Sequence, residues 1–214
     1  MLSMAQILNK HNCDKAKKPN EKGIAHHYCI EYEKEMSKRR NDPIKILEVG
    51  VWKGTSHASW HEYFPNAEIY GIDVFTRVAE KDVKIGKEQR VHFIKGSSTI
   101  PKISDQVEKH WGSDIKFDFI IDDGLHFPEA NKLTFNNLIK YLADDGIFYV
   151  EDAWPLHIMN ENEMKHSWIV RNLNEYNILK MYKFLDAVKK YNVEEIDLRK
   201  ISKRPDSYLF KITK

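Results

Sequence analysis

Two cysteines in 214 residues, Cys13 and Cys29, are too few for a disulfide framework or a four-thiolate zinc site. A reducing, cytoplasmic setting is the expectation they set. Long apolar runs are missing as well, and none approaches the roughly 18 to 20 residues of a membrane span. The opening stretch from Met1 to Leu8 is interrupted by Gln6 and followed by polar, basic sequence, so it lacks the apolar centre of a secretory signal. Charge of one sign is not in excess either. The 34 Lys and Arg against 32 Asp and Glu leave +2, which gives no footprint for sequence-independent nucleic-acid binding. There is no internal repeat and no low-complexity tract. What is present is 42% hydrophobic and 12% aromatic residues, enough for one sizeable core.

The first 43 residues differ from the rest. Lys10 to Arg40 is polar, Pro19 to Gly23 reads as a turn, and helical spacing predicts a helix from about Ala25 to Arg39, stopped by Asn41-Asp42-Pro43. From Ile44 onward strands alternate with helices. Strands are expected at Ile44–Val49, Glu68–Asp73, Val91–Lys95, Phe117–Ile121 and Ile147–Val150. Helices are expected from Gly54 to Tyr63, Ile100 to His110, Glu129 to Leu142 and Ser167 to Tyr191. Two further β-rich runs, Glu195–Ile201 and Tyr208–Ile212, read as an antiparallel hairpin. The sum is an α/β, Rossmann-like, doubly wound sheet of seven strands, mostly parallel with a C-terminal antiparallel hairpin. Residues 1–43 form a helical leader or lid, and 44–214 the main domain.

In such a sheet ligands lie beyond the C-terminal strand ends. Glu48-Val49-Gly50-Val51-Trp52-Lys53-Gly54-Thr55-Ser56 follows the first strand, with two glycines that let backbone approach a ligand. It is not a GxGxxG dinucleotide fingerprint. Asp73 ends the second strand, where an acid can accept from ribose hydroxyls, and Gly96-Ser97-Ser98 ends the third. Asp122-Asp123-Gly124-Leu125-His126 follows the fourth and Glu151-Asp152 the fifth. Parallel neighbours lie about 4.8 Å apart, so these carboxylates converge with one imidazole. Left unpaired, such a cluster repels itself, and its oxygens suit a hard cation such as Mg²⁺; the plainer reading is that some of these acids cap helices or pair with lysines.

Together these motifs resemble the class I S-adenosylmethionine (SAM) methyltransferases over roughly residues 44 to 214. Ile121 to His126 and Tyr149-Val150-Glu151-Asp152 look like the metal-dependent sugar O-methyltransferases, including those that act on macrolide sugars. Asp14-Lys15, His27-Tyr28 and Tyr32 are similar to a leader segment these enzymes carry. The resemblance implies SAM held at Gly50, Asp73 and Ser97, with Glu48, Trp52, Gly54, Ser56, Gly96, Ser98 and Asp122 on the same side. It implies Mg²⁺ or Mn²⁺ bound by Asp123, Glu151 and Asp152, with His126 as general base. Asn12-Cys13 stands where Gly-Thr is usual, Leu125 where Ser is common, and Asp144-Asp145-Gly146 where Pro-Gly-Gly is frequent.

The expected partner is a sugar, nucleotide-sugar or glycosylated small molecule; no membrane is expected and nucleic acid is disfavoured. A catechol-like diol acceptor and a non-catalytic SAM-fold subunit are the alternatives. A homo-oligomer is compatible with the sequence. The 15 residues from Ala153 to Ser167 are read as a mobile lid, with Trp154 walling the acceptor pocket and Trp60 and Trp111 in the core.

Overall fold

The computed structural model describes residues 1–166 and 175–214. Five apolar runs build the parallel strands β1 (Lys45–Val49), β2 (Glu68–Asp73), β3 (Val91–Lys95), β4 (Phe117–Asp122) and β5 (Leu142–Val150). With β6 (Asn192–Asp197) and β7 (Tyr208–Thr213) they form one seven-stranded sheet of order β3-β2-β1-β4-β5-β7-β6. β7 is antiparallel both to β5 and to β6, and so lies between them. The strand order reverses between β1 and β4, which sets the ligand crevice beyond their C-terminal ends.

Each sheet face has its own apolar layer because successive side chains alternate. Leu47, Val49, Ile72 and Ile120 pack with α4 (Lys102–Trp111), α5 (Pro128–Leu138) and α7 (Glu175–Val188) on one face. Ile46, Ile69, Phe119 and Ile121 pack on the other with α1 (Met4–Lys10), α2 (Cys29–Met36) and α3 (Thr55–Tyr63). The β4–β5 ladder slips between Phe117 and Phe119, and the two rings fall on opposite faces.

The leader is packed into the second layer. Met4, Ile7 and Leu8 of α1 are buried, as are Cys13, Tyr28, Tyr32 and Met36. A capping box between Ser3 and Gln6 starts α1, a helix the sequence reading left out. The expected helix over 25–39 is shorter, α2 plus a 3₁₀ turn at Ser37–Arg39. β5 begins five residues before the expected Ile147, because Leu142 already pairs with Phe117 and residues 143–146 bulge out. The run expected as a strand from Glu195 to Ile201 is β6 three residues earlier, followed by the helical turn α8 (Arg199–Ser202). α6 spans Glu161–His166. Residues 167–174 of the expected long helix, Trp168 among them, lie outside the described residues. Among the described residues no helix is long and apolar enough to cross a membrane.

Candidate functional site

A cleft of about 450 Å³ opens beyond β1 and β4. Gly50, Trp52, Asp73, Gly96, Ser97 and Ser98 wall one side, and Asp123, His126 and Asp152 the other. Gly50 carries the turn at φ +93°, a region that L side chains rarely adopt, and Gly54 at +75° starts α3 in the left-handed conformation. Asp73 does more than face the cleft. Its Oδ2 accepts from the backbone amides of Val51 (2.7 Å) and Trp52 (3.0 Å), and its Oδ1 accepts from Phe75 (2.6 Å). The acid therefore holds the glycine turn in shape, with lone pairs left for a ligand hydroxyl.

On the opposite side, ligand atoms of Asp123, His126 and Asp152 all lie within 4.8 Å of one another. His126 Nε2 is 3.7 Å from Asp123 Oδ1 and 3.9 Å from Asp152 Oδ2. Trp52 (φ +45°), His126 (+54°) and Asp152 (+49°) all adopt left-handed backbone, a cost of about 1–3 kcal/mol each that folds bear mainly at functional sites. The two carboxylates, with room for water, suit a six-coordinate Mg²⁺ or Mn²⁺, so these oxygens fit such an ion, with the His126 imidazole beside it.

The leader supplies what lies behind these acids. Lys15, 1% exposed, places its ammonium 2.5 Å from Asp123 Oδ2, 2.5 Å from Glu151 Oε2 and 3.3 Å from Glu48 Oε1. Burial works against the lysine charge, but the three carboxylates outweigh it and hold its pKa well above the ordinary value. Burial raises Glu151 well above the carboxylate range and Asp123 to about 6, since one ammonium cannot neutralise the whole group. The other Glu151 oxygen accepts from the Tyr32 hydroxyl. Tyr28 donates to Asp152 Oδ1 (2.6 Å), and His26 Nδ1 lies 3.1 Å from the same oxygen. Asp152 is pulled below its usual range, because His26, His126 and Tyr28 together overcome its burial. His126 moves up despite burial, under the charge of Asp152, Asp123 and Asp122.

Several residues expected at the ligand sit beneath the cleft instead. Glu48 is fully buried and accepts from Trp60 Nε1 at 2.6 Å. Asp122 accepts from Asn131 Nδ2 at 2.9 Å, and its burial pushes it up to about 6. Ser56 lies buried in the first turn of α3, and Gly54 serves as the N-cap of that helix. Glu151 is likewise held inward by Lys15 and Tyr32, apart from the converging trio of Asp123, His126 and Asp152. Trp154 is 6% exposed in the core rather than a pocket wall, and Leu156 and Met159 are buried with it, which packs down the first part of the expected lid. Trp60 is buried and Trp111 packs against the core, as expected. The sequence reading gave Lys15 no part in the site. Its only local signal was the Asp14-Lys15 pair, because its partners are distant in the chain.

A family model described as a methyltransferase domain matches residues 47–153. Curated relatives include mycinamicin VI 2''-O-methyltransferase of Micromonospora griseorubida, 28% identical over 142 residues, 63% of this chain and 33% of that one. Demethylmacrocin O-methyltransferase of Streptomyces fradiae is 27% identical over 142 residues, 63% of this chain and 34% of its own. The chain thus spans about a third of the length of these relatives. Among solved structures, the mycinamycin-pathway methyltransferase MycE in complex with Mg and SAH superposes with a TM-score of 0.67 at 18% identity, over 99% of this chain and 54% of that one. Fibrillarin of Aeropyrum pernix, with bound S-adenosyl-L-methionine, gives a TM-score of 0.55 at 16% identity, over 81% of this chain and 67% of its own. Both share the fold. The family match covers half of the sequence and contains the glycine turn, Asp73 and the Asp123–His126 loop, so the chain belongs to the methyltransferase-domain family.

Proposed function

We propose that this chain carries a SAM-dependent O-methyltransferase activity, assisted by a divalent cation, toward a hydroxyl of a sugar on a nucleotide, glycan or natural product. The observation behind it is that Asp123, His126 and Asp152 converge on the same cleft that Gly50 and Asp73 wall. A methyl donor and an acceptor hydroxyl held there would meet across that cleft. A further relative is named for 3'-O-methylation of a rhamnosyl tetracenomycin, which supports a sugar acceptor.

The glycine turn would receive the amino-acid end of the donor, and Asp73 its ribose. Residues 44–214 would carry this donor site, with residues 1–43 closing its flank. Asp123 and Asp152 would hold the cation, with His126 beside them. Glu151 would reach the ion only on giving up Lys15. When bound, the cation lowers the pKa of a coordinated oxygen by several units. His126 Nε2 faces the acids and would take the hydroxyl proton there; its Nδ1 is enclosed without a hydrogen-bond partner among the described residues. Tyr28 and His26 fix Asp152, so its free Oδ2 stays aimed at the cleft.

The test is transfer of labelled methyl from SAM to a panel of nucleotide-sugars, glycosides and catechols, with Mg²⁺ and with excess chelator. Label on a sugar hydroxyl that disappears with chelator is the expected result. Transfer to catechols alone would replace the acceptor class, and full transfer in chelator would remove the cation from the reaction.

A further inference from the structure

The polar turn at residues 19–23 is more firmly built than its composition suggests. Asn20 Oδ1 accepts from the backbone amides of Lys22 (2.9 Å) and Ile24 (3.1 Å), and Asn12 Oδ1 accepts from Glu21 (2.8 Å). Glu21 reaches across to the glycine turn and pairs with Lys53 at 2.6 Å. The result is that Lys22 Nζ stands 3.7 Å from the centre of the Trp52 indole, two residues past Gly50. The ring stabilises the ammonium by cation–π attraction and keeps it at the cleft. Among the described residues no carboxylate lies within ion-pairing distance of Lys22, although Asp14 also lines the cleft.

The cleft wall is otherwise acidic: Asp14, Asp73, Asp123 and Asp152 face it, and among the described residues Lys22 and Arg77 are its only Lys or Arg side chains. Arg77 follows Asp73 on the β2 side, where the ribose is assigned. Among the described residues Lys22 is thus the one lysine or arginine lining the glycine-turn end. A ligand whose terminus there carries both a carboxylate and an ammonium would meet Lys22 and Asp14 with complementary charge.

We propose that Lys22 receives the α-carboxylate of the methyl donor and Asp14 its ammonium, so that the leader turn reads the amino-acid end of the cofactor. This rests on the methyltransferase reading above. It gives the leader a binding role distinct from the Lys15 contacts, since Lys22 touches the donor directly.

Calorimetric titration of the full chain with two ligands separates the possibilities. S-adenosylhomocysteine carries the amino-acid end, whereas 5′-methylthioadenosine shares the nucleoside and lacks it. Lys22→Met should weaken S-adenosylhomocysteine by roughly tenfold or more and leave 5′-methylthioadenosine within about twofold, as removal of one charge-assisted contact predicts. Asp14→Asn should act in the same direction, and Lys22→Arg should recover most of the affinity. Equal loss for both ligands would show that Lys22 only shapes the Trp52 loop, and no loss for either would show no contact; each overturns the proposal. Wild-type protein that fails to bind S-adenosylhomocysteine would overturn the donor site itself, a failure seen before any variant is made.

Discussion

Gly50 lies so close to Asp123 that a Cβ at position 50 would come within 2.1 Å of the Asp123 backbone oxygen. The glycine turn after β1 and the acidic loop after β4 are therefore in contact through backbone, and neither can shift alone. Gly50→Ala combines this clash with a φ of +93°. It should destabilise the fold by about 1–3 kcal/mol and reduce S-adenosylhomocysteine affinity by at least about tenfold. Thermal unfolding and calorimetry check both, and a variant with unaltered affinity would show that the two loops are not coupled.

Asp73 ties the glycine turn to the end of β2 in the same way. Because three backbone amides converge on its carboxylate, Asp73→Ala removes the support of Val51 and Trp52 together with any ribose contact. Donor affinity should fall by about an order of magnitude or more, since charged hydrogen bonds contribute about 1.5–3 kcal/mol each. Amide exchange at residues 50–54 should also rise without ligand. A loss of affinity with unchanged exchange would mean that Asp73 serves the ligand alone.

Among the described residues Lys15 is the only ammonium set between Asp123, Glu151 and Glu48. Lys15→Met leaves those acids without it and should cost about 3–5 kcal/mol near neutral pH. The sign of the pH dependence follows from Glu151, whose folded-state pKa is already raised by burial. A raised acid favours the folded state at low pH and loses that contribution as pH rises through its folded pKa. The deficit of Lys15→Met should therefore be smaller at pH 5 than at pH 8, measured by urea unfolding. A deficit below about 1 kcal/mol at both values would contradict this buried pairing.

His57 gives the opposite slope. Burial lowers it to about 3 in the folded protein, against 6.5 ordinarily. Its contribution is complete above the unfolded value and is lost as pH falls below 6.5, since only the unfolded chain then takes up the proton. Between pH 7.5 and 5 that amounts to about 2 kcal/mol. His57→Gln should lower stability overall but lose less than wild type over this interval. Parallel pH profiles would show that His57 titrates normally.

These cases mark what the sequence makes legible. β1 to β4 coincide with apolar runs whose ends carry Gly50, Asp73 and Asp123, so strand and site are read together. The start of β5 is not legible because Asp144-Asp145-Gly146 looks like a turn, whereas the chain bulges there and resumes pairing at Ile147. The start of β6 is not legible because Asn192 to Glu195 is polar on an edge strand, where the apolar signal fades. The Asp14-Lys15 pair is legible in the leader, but the role of Lys15 is not: Asp123 and Glu151 are 108 and 136 residues away, and no local pattern records a pairing at that range. The same distance hid the inward turn of Glu151, which strand-end position alone assigns to the cleft.

The cation is the sharpest test, because Asp152 serves two sets of partners with different oxygens. Its Oδ1 accepts from Tyr28 at 2.6 Å, while Oδ2 faces His126 at 3.9 Å. Asp152→Asn can keep the Tyr28 contact through its remaining oxygen, so the local fold should survive while the negative charge is lost. Mn²⁺ binding, followed by the metal's own spin-resonance signal, should weaken by about tenfold or more, with S-adenosylhomocysteine affinity nearly unchanged because the proposed donor site is on the Gly50 and Asp73 side. Chelator on wild-type protein should have the same two effects. His126→Ala should separate from both. Asp123 and Asp152 remain to hold most of the metal affinity, the donor still binds, and turnover falls by roughly 10² to 10⁴ if Nε2 takes the hydroxyl proton. Loss of Mn²⁺ in His126→Ala equal to that in Asp152→Asn would make His126 a ligand rather than the base. Wild-type turnover unchanged by chelator would leave the three convergent groups without a cation to explain them.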